Sequence, residues 1–373
     1  MNGKRVASVV LRMFPLVRVL LGMVMVGLAA PVAAQAPAVA SPSGATFRSG
    51  VDMVTVSAVV RDRKGRIVKN LRRTDFELLD SGAPRAIRDF RPDQAPISVA
   101  VLVDGSGSMQ VADKIAEARA AAQYLFAWLD PGRDEVGIFS FDTGLYELRP
   151  FATADGPAGL QATLAGVMPF GMTSLHDAVA ATARVVAERA NVHRAVIVLT
   201  DGVDNGSRLT PAEVSGIASS IDVPVYIVAV VSPLDHAGAS SAVRSERPVP
   251  VGDLAVLARW TGGELYVSSS AAHTSAATRE IVEELRHQYL IAFEPGTRPG
   301  WHPLEVRTRK DNLIVRARSG YMAGQAQDQQ RVASAARPGR TSSAWLQPRG
   351  QSWERAASAV QSFTGFHRGG VRS

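Results

Sequence analysis

The chain has no cysteine among its 373 residues, which excludes disulfides, thiol catalysis, cysteine-ligated zinc and a lipid-modified cysteine anchor. Its seven histidines, at 176, 193, 236, 273, 287, 302 and 367, include no pair with helical metal-ligand spacing. Two nucleophile and phosphate signatures are also missing. Ser106 has Asp104 two residues before it and Ser108 two after, so there is no Gly-x-Ser-x-Gly elbow. Neither an Asp-x-Asp strand end nor a Gly-rich loop closing on Lys-Ser/Thr occurs, and Lys114 lies too far along the chain to replace the loop lysine. After the N-terminal segment, no run of about eighteen apolar residues is present. Positive charge is also scarce where it would matter. The formal charge of +7 divides into +4 for residues 1–34, +5 for residues 325–373 and −2 for the body between. A body of that balance has no basic face for nucleic acid.

What is present begins with a targeting pattern. Lys4, Arg5, Arg12 and Arg18 precede an apolar run from Val19 to Ala30, and Val32-Ala33-Ala34 offers the small residues of a cleavage site. Residues 1–34 are therefore expected to be a signal peptide. An uncleaved anchor is the competing reading, and either one exports the folded part to the periplasm or beyond. A linker follows at 35–46. Residues 47–95 read as a small β module, with alternation from Val54 to Val59, a turn at Arg61 to Gly65, and a strand, Phe76 to Leu79, entering a hairpin at Asp80-Ser81-Gly82.

From residue 96 to 286 the pattern changes to strands alternating with helical stretches. The strands are Ser98–Asp104, Glu135–Phe141, Arg194–Thr200, Pro224–Val231 and Glu264–Ser268; the helices are Lys114–Leu129, Ser174–Ala190, Pro211–Ile221, Asp253–Trp260 and Ser275–Arg286. Such alternation predicts an α/β fold with a doubly wound, mostly parallel sheet. Residues 287–322 return to strands, at Gln288–Phe293, Pro303–Thr308 and Leu313–Arg318, with 309–312 expected as a hairpin turn. Neither set of flanking strands can bury much core alone. They are expected to pair into one β-sandwich, discontinuous in sequence, with the α/β domain inserted between its halves. Trp128, Trp260 and Trp301 are assigned to the core or to domain contacts. The polar loop Ser232 to Val251 flanks the binding face or is a disordered insertion. Residues 323–373 read as a basic, mostly disordered tail, in which Trp345, Trp353, Phe363 and Phe366 mark a candidate docking helix.

Three pieces of the α/β part carry chemistry: SVAVLVDGSGSM, GMTSLHDAV and AVIVLTDGVDNGS. Asp104 ends one expected strand and Asp201 follows another, at the carboxyl ends where open α/β sheets bind ligands. Ser106 and Ser108 are two apart, so both hydroxyls can turn to one side, and Gly105 and Gly107 let that loop wrap closely. Thr173 precedes the helix that starts near Ser174. The set is all oxygen, which points to Mg²⁺, with Mn²⁺ and Ca²⁺ as alternatives, rather than zinc or copper. Three neutral hydroxyls leave a divalent cation under-neutralised if the carboxylates act through water, and so open to an outside anion. Taken alone, the DGSGS turn is equally a helix N-cap. Asp204 is expected in the next layer of side chains or, equally, as a solvated turn residue beside Asn205-Gly206, and His176 at the rim, on a helix and exposed or partly packed.

The five residues Asp104, Ser106, Ser108, Thr173 and Asp201 resemble the metal-ion-dependent adhesion site of the von Willebrand factor type A domain family, Asp-x-Ser-x-Ser, then Thr, then Asp. Together with VDMVTVSAVVRDRKGRIVKNLRRTDFELLDSG before it and EELRHQYLIAFEPG after it, the arrangement over about residues 50–322 is also similar to A-domain-related proteins abundant in acidobacteria. The resemblance implies hydroxyls at or near the metal, aspartates acting through water, and an acidic side chain of a protein ligand completing the shell. The expected function is an exported, non-enzymatic adhesion or scaffold module that captures a partner's Asp or Glu. The alternatives are a structural envelope protein with a fold-stabilising ion, or a metal-dependent hydrolase. No nucleic acid is expected as partner, and the basic tail suits weak association with an anionic envelope surface.

Overall fold

The structure, a computed structural model, describes residues 53–92, 94–154, 160–202, 204–231, 243–244 and 252–323. The expected signal peptide, the linker, most of the loop Ser232 to Val251 and the tail beyond residue 323 lie outside these residues. In chain order, β1 (Val54–Asp62), β2 (Phe76–Asp80), β3 (Ala83–Arg85) and β4 (Ile87–Pro92) come first. The α/β part then runs β5 (Ile97–Asp104), α1 (Lys114–Trp128), β6 (Glu135–Phe141), β7 (Leu145–Thr153), α2 (Leu160–Ala165), α3 (Leu175–Ala187) and β8 (His193–Thr200). It continues with α4 (Pro211–Ser220), β9 (Val225–Val230), β10 (Val243–Arg244), α5 (Gly252–Thr261), β11 (Leu265–Ser268) and α6 (Ala271–Arg286). Last come β12 (Tyr289–Phe293), β13 (Gly300–Thr308), β14 (Leu313–Ala317) and β15 (Gly320–Ala323).

The central sheet has the order β10-β11-β9-β8-β5-β6-β7, parallel except for β7 and β10 at its edges. Every residue of β5 is buried, as a central parallel strand covered on both faces requires. Alternation along β5 divides the core. Val99, Val101 and Val103 pack with buried residues of α1 and α6, while Ala100 and Leu102 pack with those of α3, α4 and α5. The sheet is therefore doubly wound. Between β5 and β8 the strand order reverses, because the chain leaves β5 toward β6 and returns to β8 on the other side. That reversal opens a crevice at the carboxyl ends of β5 and β8.

Two four-stranded sheets, β14-β1-β12-β4 and β15-β13-β2-β3, form the sandwich, each combining strands from before and after the α/β part. One core joins them, including Val56, Val60, Phe76, Leu78, Ile291, Phe293, Val306 and Tyr321. The β2–β3 hairpin closes through Ser81 and Gly82 at φ 52° and 80°, the backbone that a two-residue primed turn demands. The expected hairpin at 309–312 is corrected. β13 pairs with β2 and β15 whereas β14 pairs with β1, so residues 309–312 cross from one sheet to the other. Trp128 is corrected too: it is 42% exposed at the end of α1.

Candidate metal centre

The crevice between β5 and β8 gathers Asp104, Ser106, Ser108 and Asp201, and the loop that carries Thr173 is bonded alongside through Gly171. Asp104, fully buried at the end of β5, accepts the Ser106 N–H on Oδ1 at 2.9 Å and the Thr200 hydroxyl on Oδ2 at 2.5 Å. The first bond folds the loop back on its own aspartate, and the second ties it to the neighbouring strand. Ser106 Oγ and Ser108 Oγ lie 3.1 Å apart, so the two hydroxyls do face one another. Backbone bonds hold this loop against its neighbours: Gly105 N–H donates to Phe141 O at 2.7 Å, Phe170 N–H to Gly105 O at 2.8 Å, and Gly107 N–H to Gly171 O at 3.1 Å.

Thr173 is buried in the second loop and is fixed on both sides of its peptide. Its N–H donates to Asn205 Oδ1 at 2.8 Å, and its carbonyl accepts from Asn205 N–H at 3.1 Å and Gly206 N–H at 2.9 Å. A Cβ on residue 206 would stand 2.8 Å from Ser174 Oγ and 3.3 Å from Thr173 O, so glycine lets the β8–α4 loop come this close. Gly171 in the same Thr173 loop has φ +81°, a left-handed backbone that glycine adopts without strain.

Asp201, the residue after β8, has a nearly buried carboxylate. Its Oδ2 accepts the Lys114 ammonium at 2.9 Å, while its buried Oδ1 has no hydrogen-bond partner among the described residues. Burial pushes the Asp104 carboxyl up to about 6, against hydrogen bonds from Thr200 and Ser106, and the nearby charge of Asp201 adds to the rise. Two carboxylates and two mutually bonded hydroxyls thus converge with one buried acceptor left over. An orphaned buried acceptor is costly, and a hard cation satisfies it; the donor set fits Mg²⁺ by its chemistry.

His176 and Asp204 are a pair of their own. His176 is buried rather than exposed or partly packed, with Nδ1 3.0 Å from Asp204 Oδ2. Burial holds its pKa below the ordinary histidine value, against the pull of Asp204. Asp204 is not a free turn carboxylate: it accepts the His176 N–H at 3.0 Å and the Ser207 N–H and hydroxyl at 3.1 and 2.6 Å. Burial raises its pKa, yet the bonds from Ser207 and His176 outweigh that and leave it lowered. The pair staples the β8–α4 loop to the first turn of α3.

Lys114 and Thr200 were not singled out as site residues by sequence reasoning. Thr200 was legible in principle, because parallel register sets a hydroxyl at the end of β8 beside the end of β5 (Val103 pairs with Leu199). Lys114 was not. The chain from Gly107 to Asp113 coils tightly, with Ala112 and Asp113 both at φ 54°, and that reversal brings the first residue of α1 back over the site.

Residues 99–203, which include all five candidate ligands, match the von Willebrand factor type A domain family, and this part of the chain is a domain of that family. No curated protein matches the chain. Among solved structures, the conserved protein BatB from Bacteroides thetaiotaomicron is similar at 21% identity and a TM-score of 0.41, covering 50% of this chain and 98% of its own. A von Willebrand factor type A protein from Catenulispora acidiphila is similar at 12% identity and a TM-score of 0.42, covering 75% and 76%. The PilB minor pilin from Streptococcus sanguinis is similar at 14% identity and a TM-score of 0.39, covering 52% of this chain and 62% of that one.

Proposed function

We propose that this chain, which carries a von Willebrand factor type A domain, is an exported, non-enzymatic binding protein whose α/β domain captures an acidic side chain of a protein partner at a divalent-cation site. The observation that carries the reading is the convergence of Asp104, Ser106, Ser108 and Asp201 at the switch point, with a buried carboxylate oxygen of Asp201 left without a partner. Asp104, Ser106, Ser108, Thr173 and Asp201 would hold the ion, and Mg²⁺ suits their hard oxygens best. Bound there, the cation supplies a Lewis-acidic position for an incoming carboxylate. The chain's own part is to fix the hydroxyls and to keep the two aspartates together in a poorly solvated crevice. Binding is favoured over hydrolysis because the bond of His176 Nδ1 to Asp204 leaves only Nε2 to act as a base, and Nε2 is buried. Export rests on the pattern of residues 1–34. No helix among the described residues is long and apolar enough to cross a membrane.

Calorimetric titration of Mg²⁺ and Mn²⁺ into the full chain tests the site, with Asp104→Asn as the control. Saturable binding at one ion per chain is expected in the wild type and none in the variant, with unchanged circular dichroism. Equal binding by both would sink the assignment.

A further inference from the structure

Four large hydrophobic side chains stand in solvent around the candidate cation site. Val111 is 63% exposed, Met168 77%, Phe170 78% and Met172 49%, and they make up four of the eleven exposed large hydrophobics among the described residues. Their nearness is fixed by bonds between the two loops that carry them: Gln110 Nε2–H donates to Pro169 O at 2.8 Å, Phe170 N–H to Gly105 O, and Gly107 N–H to Gly171 O. Val111 follows Gln110, and the other three alternate along residues 168–172, directly before Thr173. A soluble surface rarely gathers exposed apolar side chains of this size without an interaction to explain them.

We infer that this rim is the contact surface for the flanks of the captured acidic residue, so that the partner presents an Asp or Glu with a large apolar side chain close beside it in an exposed protein segment. The inference rests on the cation-and-carboxylate reading above and adds the partner's chemistry to it. Charge supplies the complement. Asp104 and Asp201 bring two negative charges when ionised and Lys114 one positive charge, so a divalent ion leaves the centre at +1 inside an apolar border. A carboxylate with apolar shoulders matches both parts. An acid flanked by polar residues would leave Met168 and Phe170 unused, and a purely apolar segment would leave the cation unpaired.

The experiment pans phage-displayed random dodecapeptides on the immobilised full chain in Mg²⁺, elutes with EDTA, and measures the consensus peptide against variants by fluorescence anisotropy. Eluted peptides are expected to share Asp or Glu within two positions of Leu, Ile, Met, Phe or Trp. The consensus peptide should bind Met168→Ser/Phe170→Ser about tenfold more weakly. Mg²⁺ affinity should stay unchanged in that variant, and Val185→Ser, an exposed change on α3, should behave as wild type. Acidic peptides with only polar neighbours, or equal affinity for the rim variant, would overturn the rim while leaving the cation reading standing. Peptides that lack an acid or resist EDTA would overturn both. Enrichment of nothing, with Mg²⁺-dependent binding of decanoate instead, would overturn the protein partner and reassign the rim to an anionic lipid.

Discussion

At the residue scale, Lys114 sets the terms on which an ion can enter. Its ammonium lies 2.9 Å from Asp201 Oδ2, with the lysine side chain 17% and the aspartate 4% exposed. A pair so shielded is worth more than a surface ion pair, and leaving Asp201 alone would strand a nearly buried carboxylate. The ammonium therefore acts as an internal counter-ion that an incoming cation competes with. Lys114→Met is expected to raise Mg²⁺ affinity about tenfold, which is ~1.4 kcal/mol, and to lower the melting temperature measured in EDTA. Titration calorimetry and melting with and without Mg²⁺ check both halves. An unchanged Mg²⁺ affinity would mean that the lysine is a bystander. The same residue marks the limit of sequence reading. Asp104, Ser106, Ser108, Thr173 and Asp201 stand out because hard-cation chemistry restricts residue types at strand ends, whereas any helix can begin with a lysine. Its position depends on the two left-handed residues, Ala112 and Asp113, that precede α1.

At the element scale, the loops after β5, before α3 and after β8 position the chemistry, and the helices chiefly anchor them. Two substitutions separate these roles. Thr210 caps α4, accepting the Glu213 N–H while Glu213 returns a bond to the Thr210 N–H. Asn205 instead holds the Thr173 peptide. Thr210→Ala and Asn205→Ala should each cost about 1 kcal/mol of stability by denaturant titration. Only Asn205→Ala should also weaken Mg²⁺ binding, by several-fold; equal binding in the two would show that the Thr173 loop does not help to form the site. The α/β elements were legible because their apolar runs have clear periods and lengths, and the observed bounds of β5, β6 and β8 differ from the expected ones by no more than a residue. β7 was not legible. It carries Glu147, Arg149 and Pro150 and lies at the sheet edge, where one face and one row of hydrogen-bonding groups meet solvent and the apolar pattern weakens. The crossing at 309–312 was hidden for a different reason. A short polar turn between two strands is the same in sequence whether the strands pair or part, and only the demands of two packed sheets decide.

At the scale of the whole molecule, a buried charge cluster joins the sandwich to the α/β part. Glu284, fully buried near the end of α6, accepts Arg61 Nε–H at 2.7 Å from β1 and is also bonded by Arg316 of β14. Arg61 reaches Glu280 as well, at 2.6 Å, and Arg316 bonds Gly262 O at 3.0 Å. Each half thus leaves a charge uncompensated if the other withdraws, so sandwich and α/β part are expected to unfold in one transition. Burial pushes the Glu284 carboxyl up, but the charges of Arg316 and Arg61 outweigh it and its pKa is lowered. The stability that follows from a depressed carboxylate is fully present above the unfolded value of about 4.3 and is lost as pH falls through the folded value. Glu284→Gln should therefore cost about 3 kcal/mol at neutral pH, because two buried guanidinium groups lose their shared anion. The difference from wild type should narrow as pH falls below about 4.3, where the unfolded chain takes up a proton before the native glutamate does, until pH has passed the lowered native value. Denaturant titrations at a series of pH values read this directly. A gap that stayed constant down to acid pH would show that the glutamate acts through its shape and hydrogen bonds, and that the union of the two parts does not depend on its charge.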